Sequence, residues 1–261
     1  MQAFDSFPKY LNRVFGALIG KVLFFDLHRF KVQQQVLGCS ITNAIQTIIS
    51  RKVPLYVKST ISILEILPQV IMEPIVDVFF AKYSPSAVFY PTILKIGLPL
   101  ILLHPLETIK TAKDLSMDGY FSAGHFIYAN SGIRGFYSGF FLSFVSLSFC
   151  QIFNSLVIQI FIKQAYPKSK LATFCSNFLC LSLSSLIIFP LDTIRHQMMM
   201  LAAQGVLVSP LTALRIILNM NGLSGLFSGF PILIFRVLLV SSFVNIFEES
   251  VSFLQRNLKK N

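Results

Sequence analysis

Six long apolar segments divide the chain and leave no room for a large water-soluble domain. They cover about residues 8–31, 58–82, 86–109, 139–164, 171–194 and 229–253. A helix that crosses a membrane needs about 20 mostly apolar residues, so 261 residues can hold six such helices and short loops. Only 13% of the residues are charged, yet the net charge is +11. This combination favours a multi-pass membrane protein with basic loops over a nucleic-acid-binding protein.

Charged side chains interrupt several of the apolar segments. Glu65, Lys95 and Arg236 fall at or near membrane depth. Charged residues there are costly in lipid and usually face a water-filled cavity or a partner. We therefore expect the helices to surround a polar interior.

A short charged motif occurs at the end of the first, third and fifth segments. It consists of a proline, an acid two residues later and a base three residues after the acid. The three copies are Phe24-Asp26-Arg29, with phenylalanine in place of the proline, Pro105-Glu107-Lys110 and Pro190-Asp192-Arg195. A proline kinks a helix, and residues three apart share one helix face. Three kinked helices can thus converge and close one end of a bundle.

A glycine-containing marker follows the second and third motifs. It begins at Gly132 and ends at Gly139 in one copy, and it begins at Gly222 and ends at Gly229 in the other. The motif and the marker together divide a single domain, 1–261, into repeats of about 1–84, 85–168 and 169–261.

These motifs resemble the mitochondrial carrier family, and the resemblance covers the whole chain. It implies an all-α membrane protein with six transmembrane helices in three pseudo-symmetric repeats around a central cavity, with short surface helices on the matrix side. It also implies transport of a small-molecule substrate and contact with membrane lipid, with cardiolipin at the matrix-side helix ends. We expect no nucleic-acid partner, no cofactor and no metal site, and no motif indicates an enzyme.

The resemblance assigns the three charged motifs to a matrix gate, with Pro105 and Pro190 as kink residues. The gate residues are Asp26, Arg29, Glu107, Lys110, Asp192 and Arg195. The family pattern pairs each acid with the base of the next repeat, which predicts Asp26–Lys110, Glu107–Arg195 and Asp192–Arg29. The alternative is that these charges only mark the membrane boundary, where Lys and Arg side chains reach toward water.

The resemblance also implies substrate contacts seven residues after the last glycine of each marker, a glycine position that Lys58 occupies in the first repeat. These positions are Glu65, Ser146 with Leu147, and Arg236, and Lys95 adds a further positive charge. Arg236 suits a carboxylate and Glu65 an ammonium, which favours an amino-acid-like solute. The alternative is a structural salt bridge between Glu65 and Arg236.

Departures from the family pattern leave two functions open. The family's second gate, at the ends of the even-numbered helices, is nearly absent here. The first hypothesis is a transporter of the inner mitochondrial membrane that works by alternating access. The second is a transport-inactive carrier-fold protein of the outer mitochondrial membrane, acting in fusion, lipid exchange or protein insertion.

Overall fold

Helices form nearly all of the chain that the structure describes. The computed structural model describes residues 15–16, 18–38, 46, 60, 63–68, 71, 89–116, 119–157 and 170–258. Within these ranges every regular element is a helix, and no β-strand occurs. The predicted all-α fold is therefore confirmed, and the repeat boundaries stay a prediction.

Within the described ranges, seven helices of 13 residues or more occur, together with short helical stretches at 18–23 and 63–68. They are α1 (Phe25–Leu37), α2 (Phe89–Ser116), α3 (Tyr120–Phe136), α4 (Phe140–Val157), α5 (Lys170–Ala203), α6 (Pro210–Gly225) and α7 (Phe230–Leu258). Most of the first two apolar segments lies outside the described residues.

Local sequence explains where these helices start and bend. Pro105 and Pro190 lie inside α2 and α5, which continue past them into the expected loops. In the first repeat the chain forms a turn at Phe24, and α1 begins at the next residue. The Ser209 side chain accepts a hydrogen bond from the Thr212 amide at 3.2 Å and caps the start of α6, where Pro210 is the first helical residue.

The helices pack in a ring whose three motif-bearing members meet one another. Contacts join α1 to α2, α2 to α5 and α1 to α5, while α4 packs between α2 and α5. α7 packs on α5 and on α1. The helical stretch 18–23 also meets α7, where Gly20 lies against Val240 and Phe243. The short helices α3 and α6 each pack on α5.

Some of the described helices are long and apolar enough to cross a membrane. Two meet this condition, at Phe178–Ala203 and Phe230–Val251. A third span results if Tyr120–Phe136 and Phe140–Asn154, which meet at a bend of 53°, count as one. Apolar side chains such as Leu179, Leu183 and Phe235 are exposed on these helices, as expected for surfaces that face lipid.

Candidate functional site

Charged side chains from α1, α2 and α5 meet where these three helices converge. Glu107 on α2 and Arg195 on α5 form one of the predicted pairs, with Arg195 donating to the Glu107 carboxylate at 2.8 Å. The same guanidinium donates to Asp192 at 2.8 Å and to the Ser143 hydroxyl at 3.1 Å. Arg195 is buried. The carboxylates of Glu107 and Asp192 compensate its positive charge inside the bundle.

Asp192 has a different partner on α1 from the one predicted. The Lys31 ammonium, rather than the Arg29 guanidinium, donates to the Asp192 carboxylate. Gln35, one turn further along α1, donates to the Thr193 hydroxyl at 3.1 Å. Arg29 lies 4.0 Å from Asp26 on its own helix. The predicted pairing of Asp192 with Arg29 was therefore wrong.

Lys110 also differs from its predicted pairing. It donates to the Glu65 carboxylate at 2.5 Å instead of to Asp26. Lys21 lies 3.8 Å from the other oxygen of Glu65. Glu65, which the resemblance placed at a substrate position, thus lies against the base of the second motif.

A two-residue difference in register explains both corrections. The Ser138 hydroxyl donates to the Met198 carbonyl at 3.1 Å, and the Ser228 hydroxyl makes the equivalent bond to the Gln34 carbonyl at 3.0 Å. These two bonds align Met198 with Gln34 and hence Arg195 with Lys31. In this register the acid position of the first repeat is occupied by His28, not by Asp26.

The glycines that end the two markers support the same alignment. A Cβ atom on Gly139 would lie 3.1 Å from the side chain of Arg195 and 3.4 Å from its carbonyl oxygen. A Cβ atom on Gly229 would lie 3.1 Å from the Lys31 carbonyl oxygen. Each glycine therefore lets the following helix approach the base of the next repeat.

Contacts between lysine side chains and aromatic rings support the same alignment of the first repeat with the third. The Lys31 ammonium lies 5.7 Å from the centre of the Phe189 ring, and the Lys110 ammonium lies 5.0 Å from the centre of the Phe25 ring. Phe189 precedes Pro190, so the equivalent position in the first repeat is Phe25. Such contacts between a cation and a ring face add to the stability of buried lysines.

A pocket of about 220 Å³ opens beside this charged region. Its lining includes the predicted substrate residues Ser146 and Leu147. The remaining lining residues are Lys31, Cys150, Ser185, Ile188, Phe189, Asp192, Arg195 and Leu233. The predicted substrate positions of α4 thus share one cavity with Lys31 of α1 and with the predicted gate residues Asp192 and Arg195 of α5.

Arg236 on α7 lies near this charged region. It is within the electrostatic influence of Glu65 and Asp192. Its Nε atom is buried and has no hydrogen-bond partner. Glu65 contacts Lys110 and Lys21 in the place of Arg236, so the structure does not support a Glu65–Arg236 salt bridge. Lys95 is half-buried on α2 and is not among the residues that line the pocket.

These contacts define a group of side chains that we name the charge cluster. Its members are Lys21, Lys31, Glu65, Glu107, Lys110, Asp192, Arg195 and Arg236. Five of them are cationic and three are acidic. Sequence reasoning missed Lys21 as a partner of Glu65 and Lys31 as the partner of Asp192. The aromatic residue before each motif was the one sequence signal that could have revealed the register.

Comparison with known protein families agrees with this arrangement. Residues 166–258 match the family model described as mitochondrial carrier protein. The match covers most of the third repeat, which carries Asp192, Arg195 and Arg236. The match covers about a third of the chain, and together with the all-helical fold it supports the resemblance to the mitochondrial carrier family. No curated protein sequence matches the chain. Proteins of this family are transporters of mitochondrial membranes rather than enzymes.

Proposed function

We propose that the protein transports a small metabolite across the inner mitochondrial membrane by alternating access. The observation that carries this proposal is the charge cluster, which ties α1, α2 and α5 together directly beside a pocket. Glu107–Arg195 joins the second repeat to the third, and Asp192–Lys31 joins the third to the first. This arrangement corresponds to a carrier that is closed on the matrix side.

The charges of the cluster favour a substrate that bears a carboxylate. Cationic side chains outnumber acidic ones in the cluster, and Arg236 has a buried Nε atom without a hydrogen-bond partner. A guanidinium binds a carboxylate through two parallel hydrogen bonds. The hydroxyl of Ser146 and the side chain of Leu147, which line the pocket, then contact the rest of the solute. This reasoning supports small amino-acid-like or related acids as the substrate class.

Alternating access requires that the protein populate two states, one closed on the matrix side and one closed on the opposite side. If the first state is more stable than the second by several kcal/mol, the second is hardly populated and transport stops. The second gate of the family is nearly absent from the sequence. Of its remnants, Asp77, Lys82 and Lys163 lie outside the described residues, and Glu248 lies on α7 with no base three residues later in the sequence. This departure favours the second candidate function, a carrier-fold protein of the outer membrane that does not transport.

Uptake by reconstituted protein separates the two functions. The purified chain in liposomes, preloaded with unlabelled amino acids and keto acids, should exchange them for labelled solutes added outside. Liposomes with the variant Glu107→Lys, in which the contact with Arg195 becomes a repulsion, serve as the matched control. Uptake by neither protein, with both folded, supports the non-transporting function.

A further inference from the structure

The first repeat has no acid at the position that pairs with Lys110. His28 occupies it, and the charged groups that influence His28 most are Lys110, Arg236 and Lys31. Its Nδ1 atom is buried and has no hydrogen-bond partner. A histidine among these cations cannot replace the carboxylates that Glu107 and Asp192 supply in the other two repeats.

Lys110 nevertheless has a carboxylate partner. Its side chain is almost fully buried, and a buried ammonium without a counter-ion destabilises a protein by several kcal/mol. Glu65 provides the counter-charge at 2.5 Å, and it comes from the helical stretch 63–68 instead of from α1. The side chain of Glu65 is one-quarter exposed, with a relative accessibility of 26%, so the same carboxylate also reaches open space.

We infer that Glu65 is the third acidic side chain of the closed matrix gate, replacing the acid that the first repeat lacks at His28. This inference rests on the proposed function for the meaning of the gate. The Glu65–Lys110 contact joins the first repeat to the second, and it completes the set formed by Glu107–Arg195 and Asp192–Lys31.

The position of Glu65 gives this contact a role in transport. The family resemblance places Glu65 among the substrate contacts, whereas the structure places it on a gate base. An ammonium group of a bound solute competes with Lys110 for the one carboxylate. Binding of such a solute therefore weakens the Glu65–Lys110 contact between the first and second repeats. The Glu107–Arg195 and Asp192–Lys31 contacts are not affected, because their carboxylates do not bind the solute.

A double-mutant cycle with neutral variants tests the assignment without requiring transport. The purified protein is compared with Glu65→Gln, Lys110→Gln and the double variant by its midpoint temperature of thermal unfolding. Each single change should lower the midpoint by about 3–6 °C. The double variant should lose little more than either single one. The matched control cycle uses Asp26→Asn with Lys110→Gln, for which the two losses should add.

A rescue variant distinguishes a gate acid from a merely structural carboxylate. Introducing His28→Asp into the Glu65→Gln protein restores an acid at the family position and should recover at least half of the lost midpoint temperature. Additive losses in the Glu65–Lys110 cycle, or no recovery by His28→Asp, would overturn the inference. Both readouts remain valid if liposomes show no uptake, so failure of the proposed function is recognised separately.

Discussion

The Lys31 ammonium contacts the Asp192 carboxylate, although the family resemblance pairs Asp192 with Arg29. This contact ties the first repeat to the third at the point where α1 and α5 converge. It shows that the acid and base positions of the first repeat lie two residues further along the chain than Asp26 and Arg29. His28 and Lys31 consequently stand where the other repeats have an acid and a base.

The register predicts which α1 base is coupled to Asp192. Replacing Asp192 with Asn and Lys31 with Gln, singly and together, should give a coupling free energy of about 1–3 kcal/mol in thermal unfolding. The reason is that both side chains are largely buried and share one contact. Arg29→Gln combined with Asp192→Asn is the matched control, and its coupling should stay below about 0.5 kcal/mol. Stronger coupling of Asp192 to Arg29 than to Lys31 would contradict the alignment seen in the structure and support the pairing that the family pattern predicts.

The last glycine of each marker should not tolerate a side chain. Gly139 and Gly229 have φ angles of 79° and 84°, and a Cβ atom would lie 3.1 Å from the Arg195 side chain at Gly139 and 3.1 Å from the Lys31 carbonyl oxygen at Gly229. We expect Gly139→Ala and Gly229→Ala each to lower the free energy of unfolding by about 1–3 kcal/mol. Gly124→Ala is the control, since Gly124 is in the helix α3 and its Cβ would meet only an ordinary contact at 3.6 Å. A midpoint temperature for Gly139→Ala equal to that of Gly124→Ala would contradict the close approach.

Two serines should link neighbouring repeats through backbone carbonyls. Ser138 and Ser228 directly precede the last glycines of the two markers, and their hydroxyls donate to the backbone carbonyls of Met198 and Gln34. Ser138→Ala and Ser228→Ala should each lower the free energy of unfolding by about 0.5–1.5 kcal/mol. Ser224→Ala is the matched control, because the exposed Ser224 hydroxyl bonds only within its own helix turn, to Asn221. Equally small effects at all three serines would show that the hydrogen bonds of Ser138 and Ser228 do not stabilise the contact between repeats.

The general architecture follows from sequence because it depends on patterns that repeat. Apolar length, the charged motif and the glycine marker predict the helical fold, and the Glu107–Arg195 contact occurs as the motif predicts. Ser146 and Leu147, which the resemblance assigns to substrate contacts, line the pocket, and their role in binding stays a prediction. These features depend on local spacing, which a helix preserves.

The register of the first repeat does not follow from sequence because two sets of residues satisfy the same spacing. Asp26 and Arg29 are an acid and a base three residues apart, and so they imitate the motif. Packing decides against them, since Phe25 occupies the place that Phe189 fills beside the other base. The role of Glu65 is equally hidden, because its partner Lys110 comes from another helix and no sequence spacing relates them.

Arg236 provides the most direct test of the account, since it is expected to bind the substrate without holding the fold together. The measurement is initial uptake of labelled amino acids and keto acids into preloaded liposomes by the unmodified protein and by Arg236→Gln, with Arg236→Lys as a charge-retaining control. We predict that the unmodified protein exchanges at least one carboxylate-bearing solute. Arg236→Gln should reduce that uptake at least tenfold while the midpoint of thermal unfolding stays within about 2 °C, and Arg236→Lys should retain part of it. Undiminished uptake by Arg236→Gln, or no uptake by the folded unmodified protein, would contradict a carrier with its substrate site above a closed matrix gate.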